Sequence, residues 1–307
     1  MPHTYHSHPR KTRALQTLTV LQPRMNLSTN QKTTLDNLNK GYEGEWKFYK
    51  LLEKELTADS LALYGLQFEV NNSEFQIDCL LIVQNSIFLF EVKNYEGDFY
   101  IEGGRWYAEP SGNEVRDPLH QINRSEILFR RLLQQLGYNL TVKSYIVFVN
   151  SEFHLYQAPI NQSIIFPGQL MRFIKTLNNM TGSVTKRHTR LADQLALRHI
   201  HNSSHERLPK YTYEELKKGI VCRVCANFLS HSNMMTLRCD KCGSEEDMES
   251  VIMRSVREFN LLFPERRITT SAIFEWCKIY SKKTIRRILK KTMKFIKNSR
   301  YSHFIFK

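Results

Sequence analysis

Two acidic residues and a lysine, set in neighbouring apolar segments, are the first candidates for chemistry in this 307-residue chain. The run Phe75-Gln76-Ile77-Asp78 is followed after twelve residues by Glu91-Val92-Lys93. If Asn85-Ser86 makes a two-residue hairpin turn, Gln84 faces Ile87 and Asp78 falls opposite Lys93. Glu91 then shares that side of the sheet by the period of two, diagonal to Asp78 with Cα atoms about 7–8 Å apart. The flanking runs Leu80-Leu81-Ile82-Val83 and Ile87-Phe88-Leu89-Phe90 are almost wholly apolar. Charges there are costly to bury unless paired or metal-bound. Two readings are open: a structural Asp–Lys or Glu–Lys pair, or a site for Mg²⁺ or Mn²⁺ held by Asp78 and Glu91. In the second, Lys93 positions a water or a phosphate oxygen.

The elements that must hold these residues follow from hydrophobic spacing. A helix is expected over 41–56, with strands over 66–70, 75–83 and 87–94. A second helix starts at Pro118 and runs to about 136, and strand character resumes over 142–149. A short strand over 163–166 and a helix over 168–177 come next, giving α-β-β-β-α-β with additions. Glu45 precedes Tyr49, Leu52 and Leu56 on one stripe of the first helix, and Gln121 precedes Leu128, Leu132 and Leu136 on the second. Each could sit where its helix leaves the core, or both could ring one pocket with Asp78, Glu91 and Lys93.

As an ordered set these residues resemble a family. Gly41-Tyr42-Glu43-Gly44-Glu45, Gln76-Ile77-Asp78, Glu91-Val92-Lys93-Asn94-Tyr95 with Gly97, Gly104-Arg105-Trp106 and Asp117-Pro118-Leu119-His120-Gln121 are similar to the NERD, or nuclease-related, domain. The resemblance spans about 41–150; Asp117 stands where Asn is usual. It implies an α/β fold with a restriction-endonuclease-like, PD-(D/E)XK, αβββαβ core. By motif position it also implies Asp78 and Glu91 as metal ligands, Lys93 as the group that assists the attacking water, and Glu45 and Gln121 as helix residues beside the active site.

Six cysteines include two CxxC pairs, Cys222/Cys225 and Cys239/Cys242, thirteen residues apart, while Cys79 and Cys277 stand alone. Paired knuckles of this kind converge four thiolates on one tetrahedral Zn²⁺. Gly243 suits the tight turn after the last ligand. A module of about thirty residues buries little core, so a structural Zn²⁺ would supply most of its folding energy.

Charge is unevenly spread. Of the net +14, residues 251–307 hold fifteen basic and three acidic side chains, or +12. Two helices are expected there, over 271–279 and 282–297, separated by a turn at Tyr280-Ser281. The second carries Ile285, Ile288, Leu289, Met293 and Ile296 on one side and Lys282, Lys283, Arg286, Arg287, Lys290, Lys291, Lys294 and Lys297 elsewhere. Sixteen residues would make a rod of about 24 Å. The pair resembles a helix-turn-helix, with DNA the expected partner; a protein partner or a solvated basic face is the alternative.

Five segments result: a basic N-terminal extension over 1–40, expected to be disordered with His3, His6 and His8 near a Pro; a nuclease-like domain over 41–180; a connector with a short helix over 181–215; a zinc ribbon over 216–250; and the basic helical end over 251–307. No run approaches the about 18 apolar residues of a membrane span, and the N-terminus lacks a secretory pattern, so a soluble cytoplasmic protein is expected. With the candidate cation site and the basic end, the resemblance implies a metal-dependent DNA endonuclease. The alternative is a DNA-binding or regulatory protein that uses a nuclease-like fold without cutting. RNA stays open as a substrate, because phosphate contacts do not discriminate sugars.

Overall fold

The computed structural model describes residues 3–4, 8–160, 163–200, 208–229, 236–278 and 281–307. His6, residues 201–207 of the expected connector, Ile279 and Tyr280 lie outside them. Two compact units divide the chain, Met1–Thr12 with Asp36–Glu206 and Arg13–Leu35 with Arg207–Lys307. In chain order the first elements are β1 (His3–Thr4), α1 (Arg13–Leu21), α2 (Thr29–Glu55), β2 (Leu61–Val70), β3 (Ser73–Val83), β4 (Ser86–Lys93), β5 (Gly97–Glu102), β6 (Arg105–Ala108) and β7 (Asn113–Val115). They continue with α3 (Pro118–Gln135), β8 (Thr141–Phe148), β9 (Phe153–Tyr156), β10 (Ile164–Ile165), α4 (Leu170–Asn178) and α5 (Lys186–Leu197). The last are β11 (Thr236–Arg238), β12 (Glu245–Asp247), α6 (Met248–Leu262), α7 (Thr270–Cys277), α8 (Lys282–Thr292), β13 (Lys294–Ile296) and β14 (His303–Ile305).

The first unit is built on a six-stranded sheet in the order β1-β2-β3-β4-β8-β10, antiparallel through β2, β3 and β4 and parallel between β4, β8 and β10. A second sheet, β7-β6-β5-β9, was not anticipated from the sequence. Both faces of the large sheet are covered, which explains why β3 and β4 read as unbroken apolar runs. Leu80, Ile82, Ile87 and Leu89 meet Phe129, Leu132 and Leu133 of α3 on one face. Cys79, Leu81, Phe88 and Phe90 meet Phe48 and Leu52 of α2 and Ile174 of α4 on the other.

Several expectations are corrected. Helix α5 is no connector piece: Leu191, Ala192 and Leu195 are wholly buried in the main core. Nor do residues 8–40 form a disordered extension. Leu15, Leu18 and Leu21 form the buried stripe of α1, α2 already begins at Thr29, and the His8 ring stacks on Trp46.

In the second unit Arg24, just past α1, is 1% exposed. Burial of a guanidinium is tolerated only with partners. Its Nη2 donates to Glu258 at 2.8 Å, its Nη1 donates to the carbonyls of Lys217 and Gly219 at 3.0 Å each, and its plane lies 4.2 Å from the Trp276 ring centre. Helix α6, unread in the sequence, buries Val251, Ile252, Val256 and Phe259. The expected helix over 282–297 stops at Thr292, where Met293 turns extended, and Lys294 belongs to the β13–β14 hairpin. The helical stripe continues through Met293 and Ile296 by coincidence of spacing. What decides against it is a non-local contact, Phe295 against Phe304, with the Phe304 N–H donating to the Ile268 carbonyl at 2.8 Å.

Candidate functional site

A break in the sheet sets the geometry. Strands β2 and β3 pair regularly as far as Tyr64↔Cys79 and resume at Leu66↔Ile77, leaving Gly65 and Asp78 facing each other outside the register. Across the break, side chains change face: Ile77 and Leu80 share one core, while Cys79 lies in the other. Gly65 permits this with φ of +60°, a backbone region costly for other L-residues. The β3–β4 ladder also ends here, at Cys79↔Phe90. Beyond it the Val92 N–H donates to Asp78 Oδ2 at 2.8 Å in place of a main-chain partner. The kink therefore aims Asp78 sideways at β4.

The turn between β3 and β4 is Gln84-Asn85, with Gln84 at φ +52° and Val83 paired to Ser86, in place of the expected Asn85-Ser86. The register is thus two residues from the expected one, and continued one step it would set Asp78 level with Glu91 rather than Lys93. An even shift keeps every side chain on its side, which is why the expected convergence survives a wrong turn.

Around this point the structure brings together all five residues singled out in the nuclease-like segment. Lys93 Nζ lies 2.7 Å from Glu91 Oε1 and donates to Gln121 Oε1 at 3.1 Å, while Gln121 Nε2 donates to the same Glu91 oxygen at 2.5 Å. Gln121 sits in the first turn of α3, which Asp117 caps by accepting from the Leu119 N–H at 2.8 Å. Gln76 Nε2 donates to Asp78 Oδ1 at 3.2 Å. From the opposite face, α2 supplies Glu45, near enough that its charge acts on Asp78 and Glu91. The approach of α2 depends on Gly44: a Cβ there would stand 2.7 Å from Asn94 Cβ. Asn94 in turn donates from Nδ2 to the Lys40 carbonyl at 2.8 Å.

Asp78 and Glu91 face the Lys93 ammonium in a buried setting, 8% and 4% exposed, and Glu45 stands close enough to act on both carboxylates. Burial first, then the neighbouring Asp78 and Glu91, push Glu45 up to about 9. Burial and Glu91 raise Asp78 to about 7, against the pull of Lys93 and its hydrogen bonds. Burial opposes the Lys93 ammonium, but Glu91 outweighs it and holds the lysine above its ordinary value. Carboxyl groups crowded closely enough to raise one another's pKa fit a hard divalent cation, which takes one or two carboxylates and completes its shell with water or phosphate oxygen.

The cysteines behave differently. Cys222, Cys225, Cys239 and Cys242 place their sulfurs within 4.8 Å of one another, with 3.7 Å between Cys222 and Cys242 and 3.4 Å between Cys225 and Cys239. A tetrahedron with Zn–S of about 2.3 Å has edges of about 3.8 Å, so the four-cysteine cluster could bind zinc. Two matched turns build it: the residue after the second cysteine is left-handed in each, Ala226 at φ +58° and Gly243 at φ +71°. Burial pushes the Cys222 thiol up, yet hydrogen bonds from Ser244 and from the Cys225 and Val224 N–H groups bring it down to about 6. Cys225 moves the other way: against the Asn227 N–H, burial and its hydrogen bonds to the neighbouring thiols push it up to about 12, so without an ion the set favours a thiolate at Cys222 and a thiol at Cys225.

Of the basic residues, Lys282, Lys283, Arg286, Arg287, Lys290 and Lys291 lie exposed on α8, and Lys294 is exposed on β13. No helix among the described residues is long and apolar enough to cross a membrane. Sequence reasoning missed Gly65 and Gly44 as positioning residues. Their signal was present: glycine inside a strand marks a bulge or bend, and glycine inside a helix marks a close approach.

No curated protein matches the chain. Among solved structures, protein VC1899 from Vibrio cholerae aligns with 60% of this chain and 51% of its own at 14% identity, with a TM-score of 0.23. The chain spans about half of that protein's length, and at that score the likeness carries nothing over. The family model described as the nuclease-related domain, NERD, matches residues 40–149, the stretch that holds Glu45, Asp78, Glu91, Lys93 and Gln121. Over that stretch, about a third of its length, the chain is similar to the nuclease-related domain.

Proposed function

We propose that the chain is a metal-dependent nuclease that hydrolyses phosphodiester bonds of DNA, on a PD-(D/E)XK-like core. The observation that carries this is the Glu91–Lys93–Gln121 hydrogen-bonded set beside Asp78 at the splayed end of β3 and β4, within the nuclease-related domain. Asp78 and Glu91 would hold Mg²⁺ or Mn²⁺. Such a cation, when bound, polarises the phosphate and lowers the pKa of a coordinated water. Lys93 remains cationic against Glu91 and is poised to meet the developing charge on a phosphate oxygen or to orient the attacking water. Gln121 fixes both Glu91 and Lys93, so it sets the direction of the ammonium. In the metal-free protein burial, Asp78 and Glu91 push Glu45 up to about 9, and a cation on the two carboxylates would lower it again.

The second unit would add a structural Zn²⁺ on the four cysteines and a DNA-binding surface on α8. A second reading, recognition without cleavage, is favoured by one feature: Glu91 Oε1 is taken by both Lys93 and Gln121. Cleavage of plasmid and single-stranded DNA, with and without Mg²⁺ and with Glu91→Ala as control, separates the two. Mg²⁺-dependent cutting lost in Glu91→Ala supports the nuclease; binding with no cutting by the unaltered chain leaves the second reading.

A further inference from the structure

We propose that α8 and the β13–β14 hairpin together form a docking surface for double-helical DNA, α8 seated in the major groove and the hairpin against the bordering backbone. This rests on the nucleic-acid side of the function proposed above and narrows its substrate to a B-form duplex.

The argument begins with where the charges sit around α8. At 3.6 residues per turn, Lys282, Arg286 and Lys290 fall at about 0°, 40° and 80°, and Lys283, Arg287 and Lys291 at about 100°, 140° and 180°. The buried Ile288, Ile285 and Leu289 fill the remaining arc, at about 240°, 300° and 340°. Half the circumference is basic, and α8 contains no acidic residue. One strand of nucleic acid could engage one flank of such a cylinder. Two charged rows centred about 100° apart on the exposed half of one helix match a groove with a phosphate backbone on each side. The groove must also admit the helix. A helix about 10–12 Å across fits the roughly 12 Å major groove of B-form DNA, whereas the major groove of A-form RNA is too narrow and deep.

The frame holds α8 in a presenting attitude. Ser281 caps its start by accepting from the Thr284 N–H at 3.2 Å, and Ile285 and Leu289 are wholly buried. Lys291 Nζ, 2.6 Å from Glu249 of α6, ties the far end of one flank. Strand β13 starts two residues beyond the helix, with exposed Lys294 in the strand and exposed Lys297 just after it. The hairpin is fixed by the Phe304–Ile268 bond and by Arg267 over the Tyr301 ring at 4.7 Å. Its lysines therefore extend the basic surface past the helix C-terminus at a set position, where a helix running on to Lys297 would have carried them along the groove.

The test uses the full chain in Mg²⁺-free buffer with a fluorescent DNA duplex of about two helical turns, the same sequence single-stranded, and the corresponding RNA duplex. Expected is binding to the DNA duplex at least about tenfold tighter than to either other probe, with affinity falling by about 0.9 log unit per log unit of salt for each phosphate contact. Lys282→Ala/Arg286→Ala, Lys283→Ala/Arg287→Ala and Lys294→Ala/Lys297→Ala, all at exposed positions, should each weaken duplex binding about tenfold and shallow the salt slope. Equal or tighter binding to the single strand, or three variants that hold duplex like the unaltered chain, overturns the inference. If cleavage persists while these variants bind normally, this surface is wrong and the nuclease stands; if duplex binding behaves as expected and nothing is cut, the reverse holds.

Discussion

The carboxylate pocket and the cysteine cluster both gather negative groups, yet they are built on opposite principles. The cysteines lie on two short turns at matched positions and bring four soft donors into one shell with no vertex left over. The carboxylates come from three elements on both faces of a sheet, at a point where the ladder fails, and are too few to close the shell of a hard cation. A closed shell of this kind suits holding a fold together; an open one suits reaction. Local sequence spacing can specify the first, whereas the second needs long-range packing to exist at all.

That contrast can be broken most severely at the cysteines. Cys239→Ser should reduce zinc from one per chain to near zero by elemental analysis and abolish the cooperative thermal transition of the second unit, since metal binding in such modules contributes about 10–16 kcal/mol. An unchanged transition without zinc would make the thiols passengers. At the pocket, Asp78→Ala and Lys93→Ala should each lower Mg²⁺-dependent cleavage by about 10²–10³-fold or more while changing DNA affinity little. Retained cleavage in a clean preparation of either would remove the mechanism.

A smaller effect is expected from pH. Carboxyls whose pKa is raised on folding contribute stability that is present below their unfolded value, about 4, and lost as pH climbs through the folded ones. For Asp78 and Glu45 these are about 7 and about 9. Metal-free protein should therefore lose on the order of a few kcal/mol between pH 5 and 9, and Mg²⁺ or Mn²⁺ should raise the melting temperature more at pH 8 than at pH 6. A flat profile would mean that the pocket charges are already balanced.

Least costly is the kink. Gly65→Ala meets no neighbouring atom, so its cost is that of φ +60° alone, about 1–2 kcal/mol. Cleavage should fall with it, and Gly65→Asn, which tolerates that region better, should recover part of both. Loss of stability with full activity would separate the kink from the aim of Asp78.

Much of the pocket was legible because its residues obey local rules. Period two carried Glu91 and Lys93 to one side, and the apolar stripes of α2 and α3 pointed Glu45 and Gln121 inward. The one-residue error in turn position shifted the register by two and cost nothing because parity was preserved. What stayed hidden depends on distant partners. The helix over 282–297 was shortened by Phe304, which pairs with Phe295 across a turn, and α5 was read as a connector because Leu191 and Leu195 find their core only in the folded sheet. The α1 stripe of Leu15, Leu18 and Leu21 was readable at helical spacing and was outweighed by the basic, polar residues around it.

The buried Arg24 bears on how the chain is made. Its carbonyl acceptors at Lys217 and Gly219 are 193 and 195 positions downstream. At a synthesis rate of about 5–20 residues per second, the guanidinium leaves the ribosome roughly 10–40 s before those acceptors exist. The nuclease-related unit is translated in that interval and can reach its fold first. Helix α1 must wait, its leucines uncovered, until the last third of the polypeptide arrives to enclose it.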